Sequence, residues 1–415
     1  MTRLEDAAKA IHADIEKMTV IDAHEHLYPE SECLKLDVDA FLFFRHYCRF
    51  DLAAAGMKPE KIAYVFDSGA PLMERWREFK PYYEMISNST YVRSAHIAME
   101  RFYGESAVTD GNIESLTQKI KDFHKPGLYT RVLRDACNIE TCLNQGQDRE
   151  NNKLFNYPND PLLTPVSVPI WNLCCYGDIA GSAGHVGMEV KNVDDLMETA
   201  RRHVRKAKEN GSVGVKFSVF PMSCPSLSDA EETLARVIKD KNHWLPPENP
   251  VADVYFDALL REAREQDLVV CVHTGYWHDF RQLNPSHGIH MFDSYPDVKF
   301  DLYHVGYPYV REAIMLGKSR GNVWLNMCWT YIISPHFALE ALIEMLETVP
   351  GNKIIGFGGD YAVVEKIYGH LVLARQVMAK ALAGKVCDGS ITLDRAVSLA
   401  HHMLYQNPQN LYRLV

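Results

Sequence analysis

The chain has no run of about 18 consecutive apolar residues, the length a membrane-spanning helix needs. It has no basic excess either. Lys and Arg number 44 against 54 Asp and Glu, a formal net charge of −10, which leaves no electrostatic footprint for nucleic acid or an anionic membrane surface. Among its ten cysteines there is no Cys-x-x-Cys spacing. Ten in 415 residues is too sparse for a disulfide scaffold, and adjacent Cys174 and Cys175 are poorly placed to bridge each other. The first residues are charged and helical in pattern and lack the apolar core of a secretory signal. These absences predict a reduced, cytoplasmic protein without nucleic-acid or membrane partners. No internal repeat and no low-complexity segment is present.

What is present is ordinary globular composition, 47% hydrophobic and 24% charged, with a clear rhythm. Short runs rich in Val, Ile, Leu and aromatics recur around residues 19–23, 138–143, 163–168, 214–220, 268–273, 298–304, 323–329 and 354–360. Each fits a strand buried on both faces. Helical periodicity over 4–17, 193–210, 250–267, 309–320, 337–349 and 364–384 separates or precedes them. Strand alternating with helix predicts parallel βαβ units, and eight such units predict an α/β fold of the (β/α)8 TIM-barrel type. The whole chain, 1–415, is read as one barrel domain. Residues 37–125 carry helical stretches (38–52, 59–68, 72–86, 91–103) and no good strand, so they are read as a helical insertion after strand 1, over the C-terminal mouth. Its dense aromatics, Phe41, Phe43, Phe44, Tyr47, Phe50, Trp76, Tyr82 and Tyr83, suit an internal core, with a few left for a pocket wall or a contact between subunits.

The informative polar residues lie at strand ends. His24 and His26 close the first run, and two residues apart in extended backbone they face the same way. Lys216 lies inside the fourth run, His273 ends the fifth, His304 the sixth and Asp360 the eighth. Barrel strands converge at their C-terminal ends, so these six groups would meet on one face. Imidazole with carboxylate suits a divalent ion such as Zn2+. Singly, each residue has a plainer reading: a hydrogen-bonded core histidine, a snorkelling lysine, a turn aspartate after Gly358-Gly359. It is the constellation that points to chemistry.

With those residues in place, the sequence resembles the amidohydrolase superfamily, in particular its amidohydrolase-2-type metal-dependent barrels. The resemblance rests on Ile21-Asp-Ala-His24-Glu-His26, Gly-Val-Lys216-Phe, Val-His273-Thr-Gly, Tyr-His304-Val-Gly and Gly-Gly-Asp360-Tyr. It implies His24, His26, His273 and Asp360 as metal ligands. Lys216 takes the position that is carboxylated and bridges two metals in binuclear members, and is no ligand in mononuclear ones. His304 is implied as ligand to a second metal or as a group polarising the substrate, and Asp360 as the group that moves protons. One or two ions, most simply zinc, follow, with one favoured. A metal keeping an open position lowers the pKa of bound water from 15.7 to about 7, with Asp360 as proton acceptor and His304 against the oxyanion. The implied activity is hydrolysis of a small polar, carboxylated metabolite.

A second resemblance, to uronate isomerases, lies in Leu325-Asn-Met-Cys-Trp-Thr-Tyr-Ile-Ile-Ser-Pro335 and the insertion after strand 1. Those enzymes carry an Arg two residues after the strand-8 Asp, where this chain has Ala362, and they lack the His273/His304 pair. Isomerisation of a sugar acid, or decarboxylation or hydration of a related acid, is therefore the alternative. For the substrate, Arg281 is a candidate carboxylate clamp or else the ion-pair partner of Asp279. Trp277 and Trp329 are candidate flat walls, and Tyr28 follows the metal pair. A homo-oligomer is an open expectation.

Overall fold

The computed structural model describes residues 3–145, 147–148, 153–154, 160–169, 173–218, 220 and 225–414. Eight parallel strands form one sheet in sequence order: β1 (Val20–Glu25), β2 (Ile139–Asn144), β3 (Leu163–Ser167), β4 (Gly214–Phe217), β5 (Val269–His273), β6 (Phe300–Tyr303), β7 (Val323–Asn326) and β8 (Ile354–Ile355). A separate antiparallel ribbon joins residues 147–148 to 153–154. Every described residue of β1, β4 and β6 is buried, as the apolar runs require of a sheet covered on both faces.

The sheet closes on itself beyond β8. The Ala23 amide donates to the Phe357 carbonyl (3.0 Å), Asp360 N–H to the His24 carbonyl (2.8 Å) and His26 N–H to the Tyr361 carbonyl (3.1 Å). The segment 357–361 thus runs along β1 and completes the barrel. Gly358 and Gly359 make that approach possible: a Cβ on Gly358 would lie 2.5 Å from the Cys328 Cβ, and one on Gly359 1.8 Å from Glu25 Oε1.

Helices Val193–Glu209, Leu227–Lys239, Pro250–Glu265, Val310–Ser319, Pro335–Thr348 and Val364–Cys387 follow the strands as expected of a barrel. Asn192, Ser226, Asn249 and Ser334 accept backbone N–H groups at their N-termini, the usual way of satisfying the first orphan donors. Among the described residues no helix is long and apolar enough to cross a membrane.

Between β1 and β2 the chain is helical, with its longest pieces at Leu72–Ile86, Thr90–Tyr103 and Ile113–Phe123. The helix predicted over 38–52 is broken. Asp39 accepts the Phe41 amide and starts a 3-10 turn, Ala40–Phe44, and a separate helix runs Cys48–Ala54. The break turns the Phe41, Phe43 and Phe44 rings into the insertion's core and leaves Tyr47 and Phe50 toward the barrel mouth. β7 is shorter than its apolar run for a similar reason. The Asn326 side chain accepts the Cys328 amide (3.0 Å), the chain turns, and Thr330–Ile333 form a helical turn.

Candidate active site

The strand ends deliver the histidines and the aspartate to one place. His24 Nε2 and His26 Nε2 each lie 3.1 Å from Asp360 Oδ1, and one ligand atom from each of the three residues falls within 4.8 Å of the others. Lys216 Nζ is 3.4 Å from His24 Nε2 and stands over the Tyr303 ring. His304 Nε2 is 3.1 Å from His273 Nδ1, and His304 Nδ1 is 3.9 Å from Asp360 Oδ2.

Hydrogen bonding selects a tautomer for the histidine pair. The Cys328 carbonyl, 3.3 Å from His304 Nδ1, can only accept. We assign the proton of His304 to Nδ1, so its Nε2 accepts from His273 Nδ1–H. That leaves His273 Nε2 with a bare lone pair, and among the described residues this buried atom has no hydrogen-bond partner. Burial keeps these rings neutral. It drives His24 and His273 well below the usual imidazole range, and His304 down to about 4. Burial alone would raise Asp360, but the facing His24, His26 and His304 outweigh it and hold the carboxylate ionised. Neutral imidazoles around an ionised carboxylate, with an orphan lone pair alongside, are the donor chemistry a divalent ion takes. The residues fit a metal.

Asp360 is held in the left-handed backbone region, φ +59°, as are His304 at +68° and Trp329 at +64°. Such backbone is costly for non-glycine residues and persists where surroundings enforce it. For Asp360 the enforcement comes from β1. Asp22 Oδ1 accepts the Gly359 amide (3.0 Å) and the His24 amide (3.2 Å), while Glu25 Oε2 accepts the Tyr361 amide (2.7 Å). Both carboxyls are fully buried, and among the described residues Asp22 Oδ2 and Glu25 Oε1 have no donor from outside the pair. Burial, and for Glu25 also the neighbouring Asp22 charge, raises both acids, Asp22 to about 6 and Glu25 well above its usual value. The two buried acids act on each other directly. The Tyr47 hydroxyl adds a bond to the Asp360 carbonyl (2.8 Å).

The cluster forms the floor of a cavity of about 190 Å3. His26, Lys216, His273, His304 and Asp360 line it, with Trp277 and Trp329 in its walls. Two other candidates are elsewhere. Arg281 is exposed and makes two bonds to Asp279, at 2.8 and 2.7 Å, so of its two sequence readings the structure shows the local ion pair. Tyr28 is absent from the lining; its carbonyl accepts the Tyr129 hydroxyl. Tyr47 and Phe50, among the insertion aromatics from which a pocket wall was expected, line the cavity, and the sequence reading missed His46, Asp51, Tyr91 and Ser218, which also line it. The first three of these come from the insertion, where only the aromatic density hinted at a wall. Asp22 and Glu25 were in view within the His24–His26 motif, but nothing in the sequence tells a clamp from an ordinary strand polar residue.

Comparison with known proteins places this geometry. Over 464 aligned positions the chain is 23% identical to a uronate isomerase of Brucella suis, covering 99% of this chain and 97% of that one. It is 26% identical over 262 residues to protein fluG of Emericella nidulans, a match to 62% of this chain but only 27% of that longer protein. Among solved structures, the uronate isomerase of Thermotoga maritima superposes with a TM-score of 0.79 at 14% identity over 98% of this chain and 97% of that one. The glucuronate isomerase of Caulobacter crescentus gives 0.78 at 16%, over 99% and 94%. These likenesses show the TIM-barrel fold. The amidohydrolase family model matches residues 177–414, which carry Lys216, His273, His304 and Asp360; the chain belongs to the amidohydrolase family.

Proposed function

We propose that this protein is a metal-dependent hydrolase that cleaves a bond to a carbonyl group in a small molecule. The observation that carries the reading is the meeting of His24 Nε2, His26 Nε2 and Asp360 at the floor of the cavity, with the bare His273 Nε2 alongside. His24, His26 and Asp360 would hold the ion, with His273 as a fourth donor. When bound, a divalent ion supplies a Lewis acid that polarises a carbonyl and acidifies water.

The chain's own groups do the rest. Asp360 Oδ1 faces the two histidines, which leaves Oδ2 to take a proton from the attacking water and return it to the leaving group. Lys216 and the His273–His304 pair border the cavity where charge develops on the carbonyl oxygen, and Lys216 is placed to donate to it. Low surrounding polarity strengthens each of these interactions. Lys216 is read as such a donor in a one-metal site.

A second reading, isomerisation of a uronate-type acid, is favoured by the near full-length likeness to uronate isomerases. Two measurements separate the readings. Metal content per chain, taken on protein purified without added metal, should be about one equivalent, and His26→Ala should lose it. Two equivalents would make Lys216 a bridging ligand, and none, with none taken up on incubation, would remove both readings. Mass spectrometry of products then decides: hydrolysis splits the substrate with gain of water, and isomerisation leaves its mass unchanged.

A further inference from the structure

The walls above the metal-ligand cluster have spent much of their polarity inside the protein. The Tyr47 hydroxyl donates to the Asp360 carbonyl (2.8 Å). The Trp329 indole N–H donates to the Tyr91 hydroxyl (3.0 Å), and Asp51 Oδ2 accepts from the Ser89 hydroxyl (2.5 Å). Beside these bonds Tyr47, Tyr91 and Trp329 bring ring surface to the lining, with His46, Asp51 and Ser218 as its other polar side chains outside the cluster. Tyr47 and Tyr91 stack at 4.9 Å and 14°, and Tyr276 lies parallel to Trp329, 2° between planes.

The aromatic surface is continuous from cluster to solvent. Trp329 stands edge-on to His304 (5.7 Å between centroids) and Trp277 to His273 (6.1 Å). At the other end, Phe50 packs on Trp277 and remains 43% exposed, and Tyr276 is 45% exposed. Among the described lining residues the single lysine or arginine is Lys216, which sits at the cluster. Among the described lining residues no lysine or arginine lies farther out to meet a second acidic group. A polyhydroxylated acid needs a donor or acceptor for each hydroxyl, since a desolvated polar group left unpaired is costly. A flat apolar group needs only ring faces and edges.

We propose that the substrate is an aryl carbonyl compound, an amide or ester with a planar ring within one or two bonds of the scissile carbonyl. This rests on the hydrolase reading and narrows it. The carbonyl meets the His24–His26–Asp360 cluster, and the ring lies along Trp277 and Trp329 toward Tyr276 and Phe50. The step is a hydrolysis. A carbon–oxygen bond forms to water, the carbon–nitrogen or carbon–oxygen bond to the leaving group breaks, and the water's proton passes to that leaving group.

The test uses two metal-chelating probes on protein loaded with one zinc per chain. Acetohydroxamate reports the cluster alone, and benzohydroxamate adds the ring. Calorimetry should show both binding, with benzohydroxamate about tenfold tighter, the scale of one good aromatic contact. Tyr276→Ala and Phe50→Ala should each shrink that ratio to about threefold and leave the acetohydroxamate Kd in place. Benzoate should also compete better than glucuronate. Equal affinity of the two hydroxamates, or glucuronate as the better competitor, overturns the aryl assignment while leaving the metal site standing. Failure of both hydroxamates to bind the zinc-loaded protein overturns the hydrolase reading and this one with it.

Discussion

Glu25 offers a sharp test of how the barrel holds its own aspartate. Its Oε2 accepts the Tyr361 amide at 2.7 Å, next to Asp360. In Glu25→Ala that buried N–H loses its acceptor, which costs about 1–3 kcal/mol. Asp22 Oδ2, which among the described residues has no donor from outside the pair, loses the neighbouring acid and adds a cost of similar size, about 1–3 kcal/mol. The sum is roughly 2–6 kcal/mol, read as a lower urea midpoint at unchanged m-value.

Glu25→Gln separates the hydrogen bonds from the charge. Burial and the Asp22 charge raise the Glu25 pKa well above its usual value, and an amide N–H2 can donate to Asp22 in place of a protonated carboxyl. Gln should therefore lie within about 1 kcal/mol of the parent, the scale of a single net hydrogen bond. The alanine variant should also lose about 10–100-fold in zinc affinity, the usual effect of removing a group that orients a ligand, measured by competition with a chromophoric chelator. If Gln proves as damaging as Ala, or if Ala changes neither stability nor zinc affinity, the clamp has no such role.

Other outcomes follow from the same geometry. Gly359→Ala places a Cβ 1.8 Å from Glu25 Oε1, so barrel closure must shift; expression and zinc content should both collapse, and a folded, zinc-replete variant would refute the packing argument. Arg281→Ala removes only an exposed, solvent-screened pair with Asp279; kcat/KM should stay within about twofold on whichever substrate is found, and a large rise in KM would return Arg281 to the site. Burial raises Asp301 to about 7 against an ordinary carboxyl near 3.8. The folded state then binds the extra proton between those values, so its contribution to stability is full below about pH 4 and falls as pH rises to about 7. Asp301→Asn should flatten that part of the urea-midpoint profile, and an unchanged slope would refute the assignment. Dialysis against a strong chelator should lower thermal stability in the parent and not in His26→Ala, since an ion bound only by the folded state stabilises it.

Much of the site could be read directly. His24, His26, His273, His304 and Asp360 stand in or next to apolar runs, and a barrel brings such positions together whatever its loops do. Arg281 left two readings open in the sequence, a carboxylate clamp or an ion pair with Asp279, and the structure holds it in the bidentate pair with Asp279, two residues away. Trp277 and Trp329 do line the cavity, although the left-handed backbone that turns Trp329 there leaves no mark in composition or period.

By itself the sequence determined the alternation of buried strand and amphipathic helix, because burial on both faces demands continuous apolar runs and burial on one face demands a helical period. It also determined which residue types end the strands. Tertiary structure alone decided the rest. It paired the segment 357–361 with β1, assigned the free lone pair to His273 through the Cys328 carbonyl, and brought Tyr47 and Tyr91 from the insertion over the barrel mouth. Each of these depends on atoms far apart in the chain meeting within about 3 Å, the range of a hydrogen bond, and a one-dimensional pattern carries no such distance.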